Sequence, residues 1–405
     1  MIVPVNGTPI RNGAILVDTR GRIRALGPRD TVPKSHEGPQ LHYPGAAVIP
    51  GLVNAHTHLE LTHFGGPLEA ATFYDWLQLI RQGVDTRSPA DMLESARAGV
   101  RDTWRHGTTT VADTGGSGTV AVALAELGAR GIAYQEVFGP DPSAAHQAMA
   151  DLRARMMALG PYASERVTLG VSPHAPYTVS RPLFERVVRY AADKGFPVAV
   201  HLAESQAETD LIVHNTGPFA SSFAGRGISL PQATGSPVGY LHSCGVLNSH
   251  LLAIHCVQTD QADRAILAAC GTAVATCPTS NRMHGHGEPP LQGFLEAGIR
   301  IGVGTDSVAS VGSVDLLREA RAVRDSLALT PEMALRTITL GAARALNLHA
   351  EVGSLDVGKW ADLAVIALDD ADHLVEDQIL EATASEIQAT FVAGRCVHGQ
   401  RGMRE

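Results

Sequence analysis

The sequence has few lysines, few cysteines and no long apolar run, and each shortage excludes a class of protein. Only three of the 405 residues are lysine, and the formal net charge is −9. No block of basic residues stands out, so a surface for nucleic acid or for an anionic membrane is not expected. No uninterrupted stretch of about 18 apolar residues occurs, so no transmembrane helix is predicted.

The five cysteines are odd in number, and none of them forms a Cys-x-x-Cys pair. This usage indicates a reducing compartment rather than a framework of disulfides. The first residues lack a basic segment followed by a long apolar one, so no secretion signal is expected. Together these features predict a cytoplasmic protein.

The length and the apolar fraction of 44% suit one large barrel with a small satellite domain. Across the middle of the chain, short apolar strands alternate with helical stretches, as in repeated βα units. The eight predicted strands are 52–58, 108–113, 131–138, 167–174, 197–203, 251–257, 272–278 and 300–306. They predict an α/β fold of the (β/α)8 TIM-barrel type.

Both ends of the chain have the pattern of short β segments. A hairpin is predicted near the N-terminus, where Thr19-Arg20-Gly21 separates two strand-like runs, and similar runs occur near the C-terminus. We therefore expect residues 1–50 and 350–405 to form one small β-sandwich domain, with the barrel domain of residues 51–349 inserted between them. The longest insertion, residues 205–250, is expected to be irregular and to act as a lid.

Polar side chains concentrate at the ends of the predicted strands. His56 and His58 end the first strand and point the same way, because strand side chains alternate between faces. The other polar residues at or just after strand ends are His174, His201, Glu204, His255 and Asp306. In a barrel all these ends meet at the carboxyl-terminal face, where active sites form.

Three histidines and one carboxylate suit a single divalent metal ion. The predicted ligands are His56, His58, His201 and Asp306. Zinc is the first choice of metal and iron the second. Because no lysine lies near a strand end to bridge a second ion, a site for one ion is expected. The metal would lower the pKa of a bound water molecule. Glu204 would then shuttle protons, His255 would stabilise developing charge, and Asp306 would also accept a proton from the water.

Taken jointly, the motifs resemble the amidohydrolase superfamily, in its cytosine-deaminase-like branch of aminohydrolases and chlorohydrolases. They are Pro-Gly-Leu-Val-Asn-Ala-His-Thr-His at 50–58, Ser-Pro-His-Ala-Pro-Tyr-Thr at 172–178, His-Leu-Ala-Glu-Ser at 201–205, His-Cys-Val at 255–257, Cys-Pro-Thr-Ser-Asn at 277–281 and Gly-Thr-Asp-Ser at 304–307. The resemblance implies a metal-dependent barrel with the ligands named above, and it suggests a homodimer. It also implies that Glu204 protonates a ring nitrogen while an adenine-type compound is deaminated, and that His174 contacts the substrate.

Within that branch, the stretches 134–140, 236–241 and 279–282 are most similar to the aminodeoxyfutalosine deaminases of menaquinone biosynthesis. The similarity implies a nucleoside substrate that carries a carboxyphenyl group, which needs an apolar wall and a cation. The candidates for these contacts are Trp76, Arg81 and Arg282. One departure is Gln258, which stands where many nucleoside deaminases of the branch have the last histidine of His-Cys-Val-His. It is expected to bear on substrate choice.

Other functions remain open from the sequence. The same site would suit a deaminase of S-adenosylhomocysteine, methylthioadenosine, adenosine or guanine, or a triazine-type chlorohydrolase. A non-catalytic barrel is a remote alternative, because such a protein is expected to lack metal ligands or the acid–base pair. This sequence has both.

Overall fold

The computed structural model describes residues 1–34, 38–369, 374–399 and 403–404. Four strands precede the barrel: β1 (Gly13–Val17), β2 (Ile23–Pro28), β3 (Leu41–His42) and β4 (Ala46–Pro50). β1 and β2 form the antiparallel hairpin that the sequence predicts. Its turn is held by Asp18, whose Oδ1 accepts hydrogen bonds from the backbone nitrogens of Arg20 and Arg22, as is common for aspartate in turns.

Eight parallel strands form the barrel sheet. In chain order they are β5 (Leu52–Thr57), β6 (Thr108–Gly115), β7 (Arg130–Val137), β8 (Val167–Pro173), β9 (Val198–Leu202), β10 (Leu251–His255), β11 (Ala273–Thr276) and β12 (Ile301–Val303). Each strand pairs with its neighbour in the chain, which is the order that a (β/α)8 barrel requires. All eight predicted strands are confirmed, and their ends shift by at most three residues.

The sheet curls until its first and last strands meet at a seam between β5 and the segment after β12. The carbonyl oxygen of His56 accepts hydrogen bonds from the backbone nitrogens of Thr305 and Asp306, both at 3.1 Å. The side chain of Asn54 donates to Thr305 Oγ1 at 2.8 Å and accepts from the Thr305 nitrogen. Gly304 allows this approach, because a Cβ there would lie 2.6 Å from the His56 nitrogen.

Helices cover the outside of the barrel and connect its strands. They are α1 (Phe73–Asp85), α2 (Pro89–Arg105), α3 (Thr119–Leu127), α4 (Ala145–Leu159), α5 (Arg181–Lys194), α6 (Gln206–Thr209), α7 (Gly217–Gly225), α8 (Pro237–Ser243), α9 (Gln261–Ala269), α10 (Pro278–Met283), α11 (Leu291–Glu296), α12 (Val308–Val311), α13 (Leu316–Leu327), α14 (Pro331–Thr337), α15 (Leu340–Ala345) and α16 (Val375–Glu381). None of the helices in the described ranges combines the length and apolarity needed to span a lipid bilayer.

The longest of these helices, α2, shows how the sequence specifies them. Ser88 and Asp91 form a capping box at its start, and Pro89 occupies the first turn, where its missing N–H costs nothing. Its apolar residues recur every three or four positions and give the helix one buried face. That face presents Met92, Ala96, Val100 and Trp104 to the barrel.

The insertion at residues 205–250 is not irregular, so that expectation was wrong. It contains α6, a short π-helical turn (Asp210–His214), α7 and α8. Two of its prolines lie in the first turns of short helices, Pro218 in α7 and Pro237 in α8. A composition rich in helix-breaking residues therefore produced a chain of short helices instead of a loop.

The remaining strands come from the C-terminal part of the chain: β13 (Leu363–Ala367), β14 (Ile387–Val392), β15 (Arg395–Gly399) and β16 (Met403–Arg404). The N-terminal strand β4 pairs with β13, so one four-stranded antiparallel sheet combines both ends of the chain. Apolar residues of this sheet share a core with those of the hairpin, including Ile23, Val365 and Phe391. The fold is thus a barrel with a small β structure from both termini, and the boundaries at residues 50 and 350 stay a prediction.

A buried ion pair joins the small β structure to the barrel. Nε of Arg130, at the start of β7, lies 2.5 Å from Oδ2 of Asp362, and both side chains are at most 5% exposed. Asp362 also accepts a hydrogen bond from the Ala393 nitrogen at 2.7 Å. The Arg130 guanidinium lies over the ring of Trp360, so the charge is enclosed on several sides.

Asp362→Ala should lower the free energy of unfolding by about 3 to 5 kcal/mol, because it leaves the Arg130 charge buried without its partner. Arg24→Ala is the matched control, since it removes a surface pair with Asp18 in which Arg24 is 64% exposed. That control should cost less than about 1 kcal/mol. Urea denaturation followed by circular dichroism measures both, and equal losses would contradict the structural role of the buried pair.

Candidate metal centre and active site

The four predicted metal ligands converge at the carboxyl-terminal end of the barrel. Nε2 of His56 and Nε2 of His58 each lie 3.6 Å from Oδ1 of Asp306. Nε2 of His201 lies 3.3 Å from Nε2 of His58. The seam between β5 and β12 therefore brings the two histidines of the first strand against the carboxylate that follows the last one, and β9 adds the third histidine.

These spacings fit a shared divalent ion. Donor atoms about 2.1 Å from a tetrahedral zinc ion lie about 3.4 Å from one another, which agrees with the distances between these atoms. Both ring nitrogens of the buried His56 lack a hydrogen-bond partner, and buried polar atoms without partners are rare. Imidazole nitrogens and a carboxylate are a donor set that suits zinc and iron alike.

The surroundings favour the neutral forms of His56 and His201 and the charged form of Asp306, which are the protonation states that bind metal. Burial lowers the pKa of His56 to about 4, and burial lowers the pKa of His201 well below its ordinary value. Burial alone would raise the pKa of Asp306. The imidazoles of His56 and His58 beside the carboxylate outweigh burial and hold that pKa well below its usual value.

Neighbouring groups orient the candidate ligands. Ser280 Oγ donates to Oδ2 of Asp306 at 2.5 Å, and the Ser307 nitrogen donates to Oδ1 at 2.7 Å. Nδ1 of His201 lies 3.1 Å from the carbonyl oxygen of His174. A hydrogen bond there places the proton on Nδ1 and leaves Nε2 free to bind a metal.

Glu204 and His255 lie next to this cluster. Oε1 of Glu204 is 3.5 Å from Nε2 of His255, and Nδ1 of His255 is 3.0 Å from Oδ1 of Asn281. The hydroxyl of Tyr177 donates to Oε2 of Glu204 at 3.2 Å. Burial would raise the pKa of Glu204, but the imidazoles of His255 and His286 that face it outweigh burial and lower that pKa to about 2.

A second buried carboxylate shapes the turn that carries Glu204. Glu208 accepts hydrogen bonds from the backbone nitrogens of Ala203 and Glu204, each at 2.9 Å. Burial raises the pKa of Glu208 to about 8. The turn is also strained, because Ala203 has a positive φ of 49°, as do His255 (71°) and Asp306 (63°) at neighbouring strand ends. Non-glycine residues in this conformation persist only where the surroundings enforce it, and they cluster at functional sites.

The predicted substrate residues are only partly brought to this site. His174 follows β8, and its ring centre lies 4.7 Å from that of His201. Trp76 on α1 is buried beside His284, with ring centres 4.6 Å apart. Arg81 lies on the exposed side of α1 and pairs with Asp85 at 3.7 Å. Arg282 is half exposed and lies 3.5 Å from Glu288. Substrate contact by the two arginines therefore stays a prediction.

Several residues lie at the site although no role was predicted for them from the sequence. Tyr177, Ser280 and Asn281 stand inside the motifs at 172–178 and 277–281, so those motifs were the available signal. Glu136 lies inside the stretch 134–140, its side chain is buried, and its Oε1 has no hydrogen-bond partner among the described residues. Its carboxylate forms a potential metal-binding group with His174 and His201, in which the donor atoms lie within 4.8 Å of one another.

Comparison with known proteins identifies the family of this chain. The amidohydrolase family profile matches residues 47–397, which is most of the chain. The chain belongs to the amidohydrolase family. Among its relatives is a 5-methylthioadenosine/S-adenosylhomocysteine deaminase of Symbiobacterium thermophilum, with 30% identity over 98% of this chain and 92% of the relative.

Two solved structures share the fold of this chain. An adenosine deaminase from Xanthomonas campestris with bound zinc has a TM-score of 0.81 and 26% identity, covering 99% of this chain and 92% of that one. Helicobacter pylori aminofutalosine deaminase in complex with methylthio-coformycin has a TM-score of 0.83, covering 98% of each chain. Because the two sequences are only 20% identical, this similarity is evidence for the fold alone.

The wild-type protein should hold one divalent ion per chain, and Asp306→Asn should lose it because a charged donor is removed. Ser280→Ala removes only the hydrogen bond to Asp306 and should weaken metal binding about 10- to 100-fold. His250→Asn, at an exposed histidine, is the control and should bind like wild type. Competitive titration against a chelator with elemental analysis measures this, and undiminished metal in Asp306→Asn would contradict the ligand set.

Proposed function

We propose that this chain is a metal-dependent hydrolase that removes the amino group of an adenine nucleoside and releases ammonia. The observation that carries the proposal is the buried cluster of three histidines and Asp306 directly beside the Glu204–His255 pair. The deaminase relatives of the family support the reaction class. Zinc is the proposed ion, with His56, His58, His201 and Asp306 as its ligands.

The proposed reaction exchanges an amino group for an oxygen. A water oxygen bonds to the amino-bearing carbon of the purine, and the carbon–nitrogen bond breaks. One proton of the water goes to the neighbouring ring nitrogen, and the other goes to the departing amino group, which leaves as ammonia. A divalent ion bound at the site would lower the pKa of that water, so that it reacts near neutral pH.

The side chains of the site divide the proton work. Glu204 is proposed to carry a proton from the water to the ring nitrogen, because it lies beside the cluster without belonging to the ligand set. His255, held by Asn281, is placed to stabilise charge on the oxygen as it adds to the ring. Asp306 is proposed to accept a proton from the water, since its pKa is depressed and it is charged at neutral pH.

The first candidate substrate is 6-amino-6-deoxyfutalosine, which deamination converts to futalosine in menaquinone biosynthesis. The stretches at 134–140, 236–241 and 279–282 support it. The second candidate is methylthioadenosine or S-adenosylhomocysteine, which the deaminase relatives favour. For each of these compounds, Trp76 and His174 are proposed to contact the nucleoside, and Arg282 or Arg81 is proposed to meet the carboxylate of aminodeoxyfutalosine or of S-adenosylhomocysteine.

The zinc-loaded enzyme should release ammonia from a panel of aminodeoxyfutalosine, S-adenosylhomocysteine, methylthioadenosine, adenosine and adenine. Preference for the first compound would support the menaquinone role, and activity on the others alone would exclude that role while keeping the deaminase mechanism. If none of them releases ammonia from metal-loaded enzyme, the proposed function is wrong. Guanine and a chlorotriazine, assayed for ammonia and for chloride, then identify the alternatives.

Glu204→Gln should keep its metal and lower kcat by about 100- to 10,000-fold, because the amide cannot move a proton. Glu185→Gln is the control, since Glu185 lies on α5 and is 43% exposed. It should turn over substrate like wild type. Metal analysis and steady-state ammonia release measure both variants, and near-normal kcat in Glu204→Gln would refute the proton-transfer assignment.

A further inference from the structure

A further histidine, in addition to His255, faces the carboxylate of Glu204. The sequence His284-Gly285-His286 follows α10, and the chain there turns back toward the barrel, with the His286 nitrogen donating to the carbonyl oxygen of Asn281. The His286 side chain is 4% exposed, and its Nε2 lies 3.5 Å from Oε1 of Glu204. Oε1 therefore has two imidazole nitrogens at the same distance, one from His255 and one from His286.

Packing holds the His286 ring in this orientation. Phe73 of α1 meets it edge to face, with ring centres 4.6 Å apart, and the ring of His284 stacks at 5.5 Å. Among the described residues, Nε2 of His286 has no closer hydrogen-bond partner. The carboxylate of Glu204 is thus the group that this buried nitrogen faces, and catalytic contacts of such length often shorten in the substrate complex.

Gln258 fixes the backbone that carries this ring. Its side-chain nitrogen donates to the carbonyl oxygen of His286 at 2.7 Å. Its backbone nitrogen donates to the carbonyl oxygen of Ala203, also at 2.7 Å. One residue therefore ties the His286 loop to the turn immediately before Glu204, which gives a physical reason for glutamine at this position.

We propose that His286 is a positioning residue for Glu204 and that Gln258 acts through it. His286 donates from Nε2 to Oε1 while Tyr177 donates to Oε2, so the carboxylate plane cannot rotate away from the substrate. The inference rests on the proposed function, because it concerns the residue that is proposed to move the proton. It assigns the glutamine a role in catalytic geometry rather than in substrate choice.

The activity test uses three leucine variants of matched size. His286→Leu should lower kcat about 10- to 100-fold, because misplacing a catalytic group by about 1 Å costs about that much, while KM changes less than kcat and metal content stays the same. Gln258→Leu should lower kcat less. His284→Leu is the packing comparison, since His284 shares the loop and the aromatic contacts of His286, and it should lower kcat less than His286→Leu does.

The double variant tests whether Gln258 acts through His286. If it does, adding Gln258→Leu to His286→Leu should cost little further kcat, since the effects of residues that act as a unit are not additive. Independent, multiplicative losses would overturn the role of Gln258. Equal kcat losses in His284→Leu and His286→Leu would assign the effect to loop packing and overturn the role of His286.

A spectroscopic test separates this inference from the proposed function. The zinc-loaded protein should show a downfield imidazole N–H proton resonance that disappears in His286→Leu. The resonance should move upfield in Glu204→Gln, because a carboxylate accepts a stronger hydrogen bond than an amide. A resonance unaffected by Glu204→Gln would refute the contact whatever the ammonia assay shows. A resonance that responds, in a protein that deaminates nothing, would confirm the contact and refute the proposed function.

Discussion

The candidate site depends on the seam that closes the barrel. The carbonyl oxygen of His56 accepts two backbone hydrogen bonds from the segment that contains Asp306. That contact sets the register between the first and the last strand, and it leaves room for no side chain at Gly304. Residues separated by about 250 positions in the chain thereby become neighbours with donor atoms a few ångströms apart. A shift of one residue along this seam would turn His56 and Asp306 away from each other.

A second constraint is that the site buries opposite charges together. Asp306 and Glu204 are each almost fully enclosed, and burying an unpaired carboxylate is costly. Each is therefore surrounded by groups that favour its charged form: imidazoles and serine hydroxyls for Asp306, and two histidines and a tyrosine for Glu204. The same enclosure keeps His56 and His201 neutral. An arrangement of neutral imidazoles and a charged carboxylate already has the protonation states that a cation requires before one binds.

The barrel and the core of the candidate site could be predicted because they depend on local patterns. Apolar runs mark the strands, and the polar residue at the end of each run, such as His201 or Asp306, must lie on the same rim. The residues that surround Glu204, such as His286, could not be predicted in this way. His286 reaches Glu204 only because the chain after α10 turns back and packs on Phe73, a contact between distant segments that no local pattern encodes. The ion pair between Arg130 and Asp362 could not be predicted for the same reason. In the sequence, each is simply a charged residue at one end of a strand.

The pairing of β4 with β13 has a consequence for synthesis of the chain. β4 leads directly into the first barrel strand, yet its partner emerges from the ribosome only after the whole barrel has been translated. At about 5 to 20 residues per second, that interval is on the order of tens of seconds. During that time the apolar edge of β4 is unpaired, and such an edge invites association with other chains. The nascent protein therefore exposes this strand edge for a long interval, in which a chaperone would protect it. The structure is complete only when the C-terminal strands pair with the N-terminal ones.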